Sequence, residues 1–286
     1  MSEFYVHGYD SQEALRLKDQ AYALVDLLHA DTIYPDGSSV LEVGCGVGAQ
    51  TVTLARRSPG ALITAIDRSA SSLVEAERRV AKAGLHNVTF VEADLFTLPF
   101  AAASFDHVFV CFVLEHLADP AAALRSLVRL VRPGGSIAVI EGDHGSIVFH
   151  PDDADARAAI ASQIALQQDA GGDALIGRRL YPLLSEAGFA SVSVSPRMVY
   201  VDGSRPDLAD MFTRRTFTAM IAGVRERVVA SRRMEPARFD AGVRALERAA
   251  APDGVFCYTF FKAVGRVLQP AETDDGVELG QDHAVA

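Results

Sequence analysis

The sequence predicts a doubly wound α/β domain built on a mostly parallel sheet, and three observations carry that expectation. Short apolar runs alternate with amphipathic stretches between residues 36 and 145. One of those runs, Ser39–Val43, passes without a polar break into three glycines at every second position, Gly44, Gly46 and Gly48. Acidic residues stand at or just past the ends of the first three runs, as Glu42, Asp67 and Asp94. Strand–helix alternation of this kind specifies parallel strands joined by right-handed crossovers, with helices on both faces. Ligands of such sheets bind at the carboxyl ends of the strands, where the strand order reverses.

In chain order, residues 1–35 read as an N-terminal helical lid. Tyr5, His7 and Tyr9 precede a helix that starts at Ser11 and runs to about His29, with Leu15, Ala21, Tyr22, Val25 and Leu28 on its apolar face. Residues 36–145 form the ligand-binding half. The glycines that follow the first strand tolerate positive φ and admit a ligand to the backbone, and the helix start beyond them offers unpaired N–H groups. Strands follow at 62–66, 88–92, 105–114 and 136–140, with helices at 69–83 and 120–131 between them. Gly84 stops the first of these helices, and Arg132-Pro-Gly-Gly135 follows the second. Residues 146–266 form a second half. Helical patterns near 146–176 and 203–252 interrupt the return to the sheet through strands at 192–201 and 255–264. Residues 267–286 are polar, acidic and aperiodic, the pattern of a disordered tail.

The chain has 286 residues, 49% hydrophobic and 22% charged, with a net charge of −10. No basic face for nucleic acid is expected from that balance. Glu272, Asp274, Asp275, Glu278 and Asp282 put half of the excess charge in the tail, so an acidic substrate is not excluded. Cys45, Cys111 and Cys257 lie in or beside apolar strand patterns without metal-ligand spacing, which suggests buried free thiols and no metal site. The N-terminus lacks the charged-then-apolar pattern of a secretion signal, and no run reaches the ~20 apolar residues of a membrane span. The expectation is a cytoplasmic protein with neither nucleic-acid nor membrane partners. Its Ala- and Leu-rich insertion helices are a possible homodimer surface.

Gly44-x-Gly46-x-x-Ala49 also satisfies the dinucleotide fingerprint, and Asp67 falls about twenty residues after Gly48, where a carboxylate can accept ribose hydroxyls. The later motifs separate the two cofactors. Glu42-x-Gly44-x-Gly46-x-Gly48, Asp67, Ala93-Asp94-Leu95, Phe105-Asp106, Leu114-Glu-His-Leu117 and Leu130-Val-Arg-Pro-Gly-Gly135 occur in order. Together they resemble the class I S-adenosylmethionine-dependent methyltransferases over residues 40–144. The resemblance implies a seven-stranded Rossmann-like sheet with helical cap insertions and an antiparallel final strand. It also implies that Glu42, Gly44, Cys45, Gly46 and Gly48 border the methionine part of the cofactor. Asp67 would hold the ribose, with Arg68 beside the adenine. Asp94 and Leu95 would meet the adenine, and Cys111, Phe112 and His116 the sulfonium end. S-adenosylhomocysteine would be the product.

Tyr5-Val-His-Gly-Tyr9, Glu141-Gly-Asp-His-Gly145, Arg197-Met-Val-Tyr200 and Phe256-Cys-Tyr-Thr-Phe-Phe-Lys262 extend the likeness to the whole chain. They are similar to a bacterial group that includes indole C3-methyltransferases forming pyrroloindolines. The resemblance implies a small aromatic acceptor from specialised metabolism. Such a carbon nucleophile gains reactivity as its ring N–H proton is drawn away, so a nearby carboxylate or imidazole is expected. His144 and Asp143, just past the fifth strand, stand in the right place. Tyr22 and Asp26 share a face of the entry helix at i, i+4. Arg178, Arg179, Tyr181, Arg197 and Tyr200 are possible lining residues, and Phe212, Phe217 and Met220 read as cap core. N- or O-methylation, a nicotinamide oxidoreductase and a non-catalytic cofactor-binding protein are the rival readings.

Overall fold

The computed structural model describes residues 24–269. Tyr5, His7, Tyr9, Tyr22 and most of the acidic tail lie outside the described residues.

Seven strands form one sheet: β1 (Ser39–Val43), β2 (Leu62–Asp67), β3 (Val88–Glu92), β4 (Phe105–Cys111), β5 (Val131–His150), β6 (Ala190–Asp202) and β7 (Val255–Arg266). Their spatial order is β3-β2-β1-β4-β5-β7-β6. The pairs from β3 through β5 are parallel, and β7 runs antiparallel to both β5 and β6. The order reverses between β1 and β4, so the glycine turn after β1 opens beside the end of β4, as the doubly wound reading requires.

Strand alternation divides the core in two. Leu41, Val43, Val108, Val110, Ile137 and Val139 face one side, where α3 (Pro120–Val128) and α5 (Leu180–Glu186) cover them. Val40, Phe109, Ala138 and Ile140 face the other, under the entry helix (24–29), α1 (Thr51–Arg57) and the cap. Both faces are apolar because helices bury both. The side chain of Ser69 caps α2 (Ala70–Lys82) by accepting from Ser72 N–H, and Gly84 leaves that helix at φ +68°.

The largest departure from the sequence expectation is in β5. It continues ten residues past 140, so 146–150 is strand and not the start of a helical insertion. Cys111 pairs with Ile140 at the end of the parallel part. Beyond it β5 stays on β7, Asp143 opposite Thr259 and His150 opposite Val255, across a bulge between Asp143 and Val148. β6 follows, with Asp202 opposite Val255. The three strands thus form an antiparallel extension standing above the carboxyl edge of the parallel sheet. The cap helices α4 (Ala154–Asp169) and α6 (Pro236–Arg248) pack together beside it. Gly242 lets them approach so closely that a Cβ there would sit 2.4 Å from the Asp155 carbonyl oxygen.

Within the helical pattern near 203–252, the chain forms a π-helical segment, Ala209–Thr218, followed by short α-helices Ala219–Gly223 and Arg225–Ala230. Thr216 donates its hydroxyl to the Met211 carbonyl at 2.8 Å, a local bond that competes with the regular ladder. Phe212, Phe217 and Met220 are buried in the core of the cap. Among the described residues no helix is long and apolar enough to cross a membrane.

Candidate active site

The glycine turn separates into packing and ligand-facing positions. Gly44, Gly46 and Gly48 all have positive φ, at 67°, 52° and 75°. A Cβ on Gly44 would lie 2.6 Å from a Val113 methyl carbon, and one on Gly48 3.0 Å from Ala76 of α2. These two glycines bring the turn against its neighbours. Among the described residues, a Cβ on Gly46 would meet nothing within 4 Å. The middle glycine therefore leaves space, as far as the described residues go, for a ligand to approach the backbone.

Asp67 fixes the shape of the turn. Its Oδ2 accepts the Gly46 N–H at 2.8 Å and its Oδ1 the Ser69 N–H at 2.9 Å, while Cys45 N–H donates to the Ile66 carbonyl at 2.9 Å. Each carboxylate oxygen keeps a further lone pair for a ribose hydroxyl. Asp94 is exposed and folds its own loop by accepting Phe96 N–H at 2.8 Å, with Leu95 half-buried beside it; Arg68 is exposed. Cys45 and Cys111 are buried, and burial pushes both thiols up, whereas Cys257 is only partly covered.

Glu42 is buried beneath the turn. Burial, with the Asp67 charge adding to it, pushes its carboxyl up to about 8. Its Oε2 lacks any hydrogen-bond partner. A buried acceptor left in that condition is costly unless a donor or cation arrives. An open glycine cradle, a ribose-ready carboxylate and an unmet acid fit the adenosyl and amino-acid parts of S-adenosylmethionine.

A second constellation lies past the ends of β4 and β5. Phe112 takes φ +57°, a conformation that non-glycine residues rarely adopt, immediately after β4. Its ring is 5.5 Å from that of Phe260. His144 is buried, with Nδ1 2.9 Å from the Tyr258 hydroxyl and its ring 6.0 Å from Phe217. Tyr258 packs on Phe260 at 4.6 Å, and burial holds its hydroxyl well above the ordinary phenol range. Gly142 makes room for that hydroxyl, which a Cβ would approach to 2.2 Å.

The carboxylates here differ in their partners. Asp143 was expected to handle a proton, but both of its oxygens bind Arg178, at 2.6 and 2.7 Å, and Oδ1 also accepts the Gly145 N–H at 2.9 Å. Asp143 thus stands ion-paired at the place where the sequence reading put it. Glu141, fully buried, accepts Val113 N–H at 3.0 Å and Leu114 N–H at 2.7 Å through Oε1. Glu115 accepts from Gln167 Nε2 at 3.1 Å, and His116 Nε2 is 3.6 Å from its Oε1.

Other expected residues stand elsewhere. Asp26 is exposed on the entry helix and joins none of these contacts. Arg179 pairs with Asp173 and Arg197 with Asp31, while Tyr181 and Tyr200 are exposed. Glu141 and Tyr258 entered the sequence reading only inside family-like motifs, with no site role of their own, and Gln163 and Gln167 were not singled out. One signal was available: Glu141 is a lone charge ending the apolar run Ile137-Ala-Val-Ile140. Lys262 likewise entered only as the last residue of such a motif. Buried on β7, it donates to Asp31 Oδ1 at 2.6 Å and Thr32 Oγ1 at 2.5 Å, which ties the segment after the entry helix to the sheet.

Known proteins resemble this chain in its cofactor-binding half. Residues 41–139, on β1 through β5, match the family described as a methyltransferase domain. The matched segment is thus similar to a methyltransferase domain, a class whose cofactor is S-adenosylmethionine. The chain is 34% identical to an uncharacterized 37.1 kDa protein in transposon TN4556 of Streptomyces fradiae, over 65% of this chain and 54% of that protein. It is 35% identical to methyltransferase GfsG of Streptomyces halstedii, over 44% of this chain and 43% of that one. The chain thus spans about half the length of these curated relatives. Among solved structures, the [4+2]-cyclase SpnF shares the fold with a TM-score of 0.54 at 22% identity, covering 88% of this chain and 81% of that one.

Proposed function

We propose that this protein is an S-adenosylmethionine-dependent methyltransferase of specialised metabolism that methylates a small aromatic acceptor, at carbon C3 of an indole in the reading favoured here. The observation that carries the proposal is the adjacency of two built regions. The open glycine cradle ends one strand, and the buried His144–Tyr258 pair stands past its neighbours, with Phe112 and Phe260 between them.

When bound, S-adenosylmethionine supplies an electrophilic methyl group on a positively charged sulfur. The protein's work is alignment, exclusion of water and management of one proton. The aromatic walls suit a flat acceptor. Tyr258 fixes the orientation of the His144 ring, and the tautomer that donates from Nδ1 to the phenol oxygen makes Nε2 the base. With S-adenosylmethionine bound as methyl donor to the indole C3 carbon, His144 Nε2 would be placed to take the ring N–H proton. An amine on the acceptor's own side chain can close on C2 to complete a pyrroloindoline.

The fold is shared with a protein titled a cyclase, so the fold alone does not choose the reaction. Incubation with S-adenosylmethionine and a panel of indoles, phenols and amines, read by mass and NMR, tests the proposal. The expected product carries a methyl on a quaternary carbon. A methyl on nitrogen or oxygen supports the N- or O-methyltransferase alternative. Binding of S-adenosylhomocysteine without turnover of any acceptor points to a non-methylating protein. Thermal stabilisation by NAD alone makes it an oxidoreductase.

A further inference from the structure

The chain leaves β4 through a turn that its own side chains do not favour. Phe112 holds φ +57°, and Val113 after it is in the right-handed region at φ −116° and ψ −47°. Left- and right-handed residues in succession aim their N–H groups into one concavity, which takes an electron-rich atom. Here that atom is Oε1 of Glu141, which accepts Val113 N–H at 3.0 Å and Leu114 N–H at 2.7 Å. The backbone ladder stops one residue earlier, where Phe112 N–H donates to the Ile140 carbonyl at 2.9 Å. Glu141 is the next residue of β5, so its side chain takes over where the ladder ends.

The pinned turn has a neighbour on each side. Val113 packs on the cofactor turn, where a Cβ on Gly44 would lie 2.6 Å from its methyl carbon. Phe112 stands on the acceptor side, its ring 5.5 Å from that of Phe260. Beyond them the single turn Leu114–His116 is held from the cap, because the Glu115 carbonyl accepts Asp173 N–H at 2.8 Å and Gln167 Nε2 at 3.1 Å. Two adjacent residues fixed by one carboxyl group therefore touch the cradle and the aromatic wall. Glu141 is fully buried, and burial, then the Glu115 charge, holds its carboxyl well above the usual range, although the N–H groups act the other way. A neutral carboxyl still offers a carbonyl oxygen to both N–H groups, and a carboxamide offers the same atom.

We propose that Glu141 is a positioning residue for methyl transfer: it fixes the left-handed turn at Phe112 and so holds that ring as the wall between the cradle and the acceptor. The inference rests on the methyl-transfer reading of the site and adds to it the residue that sets the acceptor's alignment. Misplacement of such a wall by about 1 Å costs on the order of a hundredfold in rate.

The test compares Glu141→Gln and Glu141→Leu with wild type in two measurements on the full chain. The first is hydrogen exchange at single amides, read by NMR. In Glu141→Leu the Val113 and Leu114 amides should exchange at least about tenfold faster, while Phe112, bonded to Ile140, changes by less than about threefold. The second is turnover of the acceptor found in the panel of indoles, phenols and amines. Glu141→Leu should lower kcat by about a hundredfold and leave KM for S-adenosylmethionine within about threefold. Glu141→Gln keeps the accepting atom and should stay within about threefold of wild type in both measurements. Phe112→Ala removes the ring and leaves the clamp, so kcat should fall by about a hundredfold with the two amides still protected. Should Glu141→Leu not fold, Glu141→Asp, one methylene short of the turn, replaces it with the same exchange pattern and at least about a tenfold loss of kcat. A wild-type kcat in Glu141→Leu or Phe112→Ala overturns the proposal. So does equal loss in Glu141→Gln and Glu141→Leu, or a KM for S-adenosylmethionine that rises as steeply as kcat falls, which would assign Glu141 to the cofactor turn. If the wild type methylates no acceptor, the methyl-transfer reading fails, and amide exchange still decides whether Glu141 holds the turn.

Discussion

The glycine turn and the antiparallel extension are neighbours in space and opposites in construction. In the turn, Asp67 reaches Gly46 across 21 residues, and one β–turn–α unit with the following strand sets the backbone geometry. In the extension, His144 meets Tyr258 across 114 residues, Gln167 meets Glu115 across 52, and Lys262 meets Asp31 across 231. The first is a local device for a ligand that needs backbone contact. The second is assembled from strands and cap helices that can change without disturbing the turn. On the proposed reading, cofactor contact is confined to one segment and acceptor contact to residues scattered along the rest of the chain.

Substitutions that separate the two regions break or sharpen the contrast. The largest effect is expected from His144→Ala, which should lower turnover by about 10²–10⁴-fold while leaving the calorimetric affinity for S-adenosylhomocysteine within about threefold. Gly46→Ala should do the reverse. A Cβ at φ +52° costs about 1–2 kcal/mol and enters the open cradle, so affinity for S-adenosylhomocysteine should fall by roughly tenfold or more. If Gly46→Ala binds normally, the cradle is misassigned.

A smaller effect is expected at the anchor between the chain's two ends. Asp31→Asn leaves the Lys262 ammonium buried without its counter-charge. Because Asp31 is itself half exposed, the loss should be about 2 kcal/mol in chemical denaturation at neutral pH. Burial acts to raise the Asp31 carboxyl, but the hydrogen bonds from Lys262 and Arg197 prevail and hold it at about 2, below its ordinary 3.8. Its contribution to stability is therefore complete above pH 3.8 and disappears as pH falls through 2. The gap in melting temperature between wild type and Asp31→Asn should close over that acid range. A gap that persisted there would remove the carboxylate from the account. Least of all, Tyr258→Phe should slow turnover by about tenfold, through a His144 ring that is less well oriented.

What was legible in the sequence follows the same division. β1, the turn, Asp67 and α2 with its Gly84 stop stand where local periodicity put them. The function of each glycine was not legible, because whether a Cβ meets Ala76 or open space depends on packing of a later helix. The extension of β5 was hidden by Glu141-Gly-Asp-His-Gly145, whose polar and glycine residues read as a loop. In the sheet they pair with β7 up to Asp143 and bulge before Val148. The pairing of Asp143 with Arg178 and of His144 with Tyr258 joins residues too distant for any spacing rule. The π-helical segment has the apolar pattern of an ordinary helix, and the Thr216 bond that accompanies its wider turn is invisible without coordinates.

The central claim is that the cradle and the His144–Tyr258 pair are two parts of one methyl-transfer site. Its most direct test is the yield of methylated acceptor in a single turnover, with S-adenosylmethionine prebound to wild type and to His144→Ala. The account predicts one methyl gained per S-adenosylhomocysteine formed by the wild type, and a first turnover slowed at least about a hundredfold in the variant at full cofactor occupancy. Equal first-turnover rates in the two proteins would contradict it.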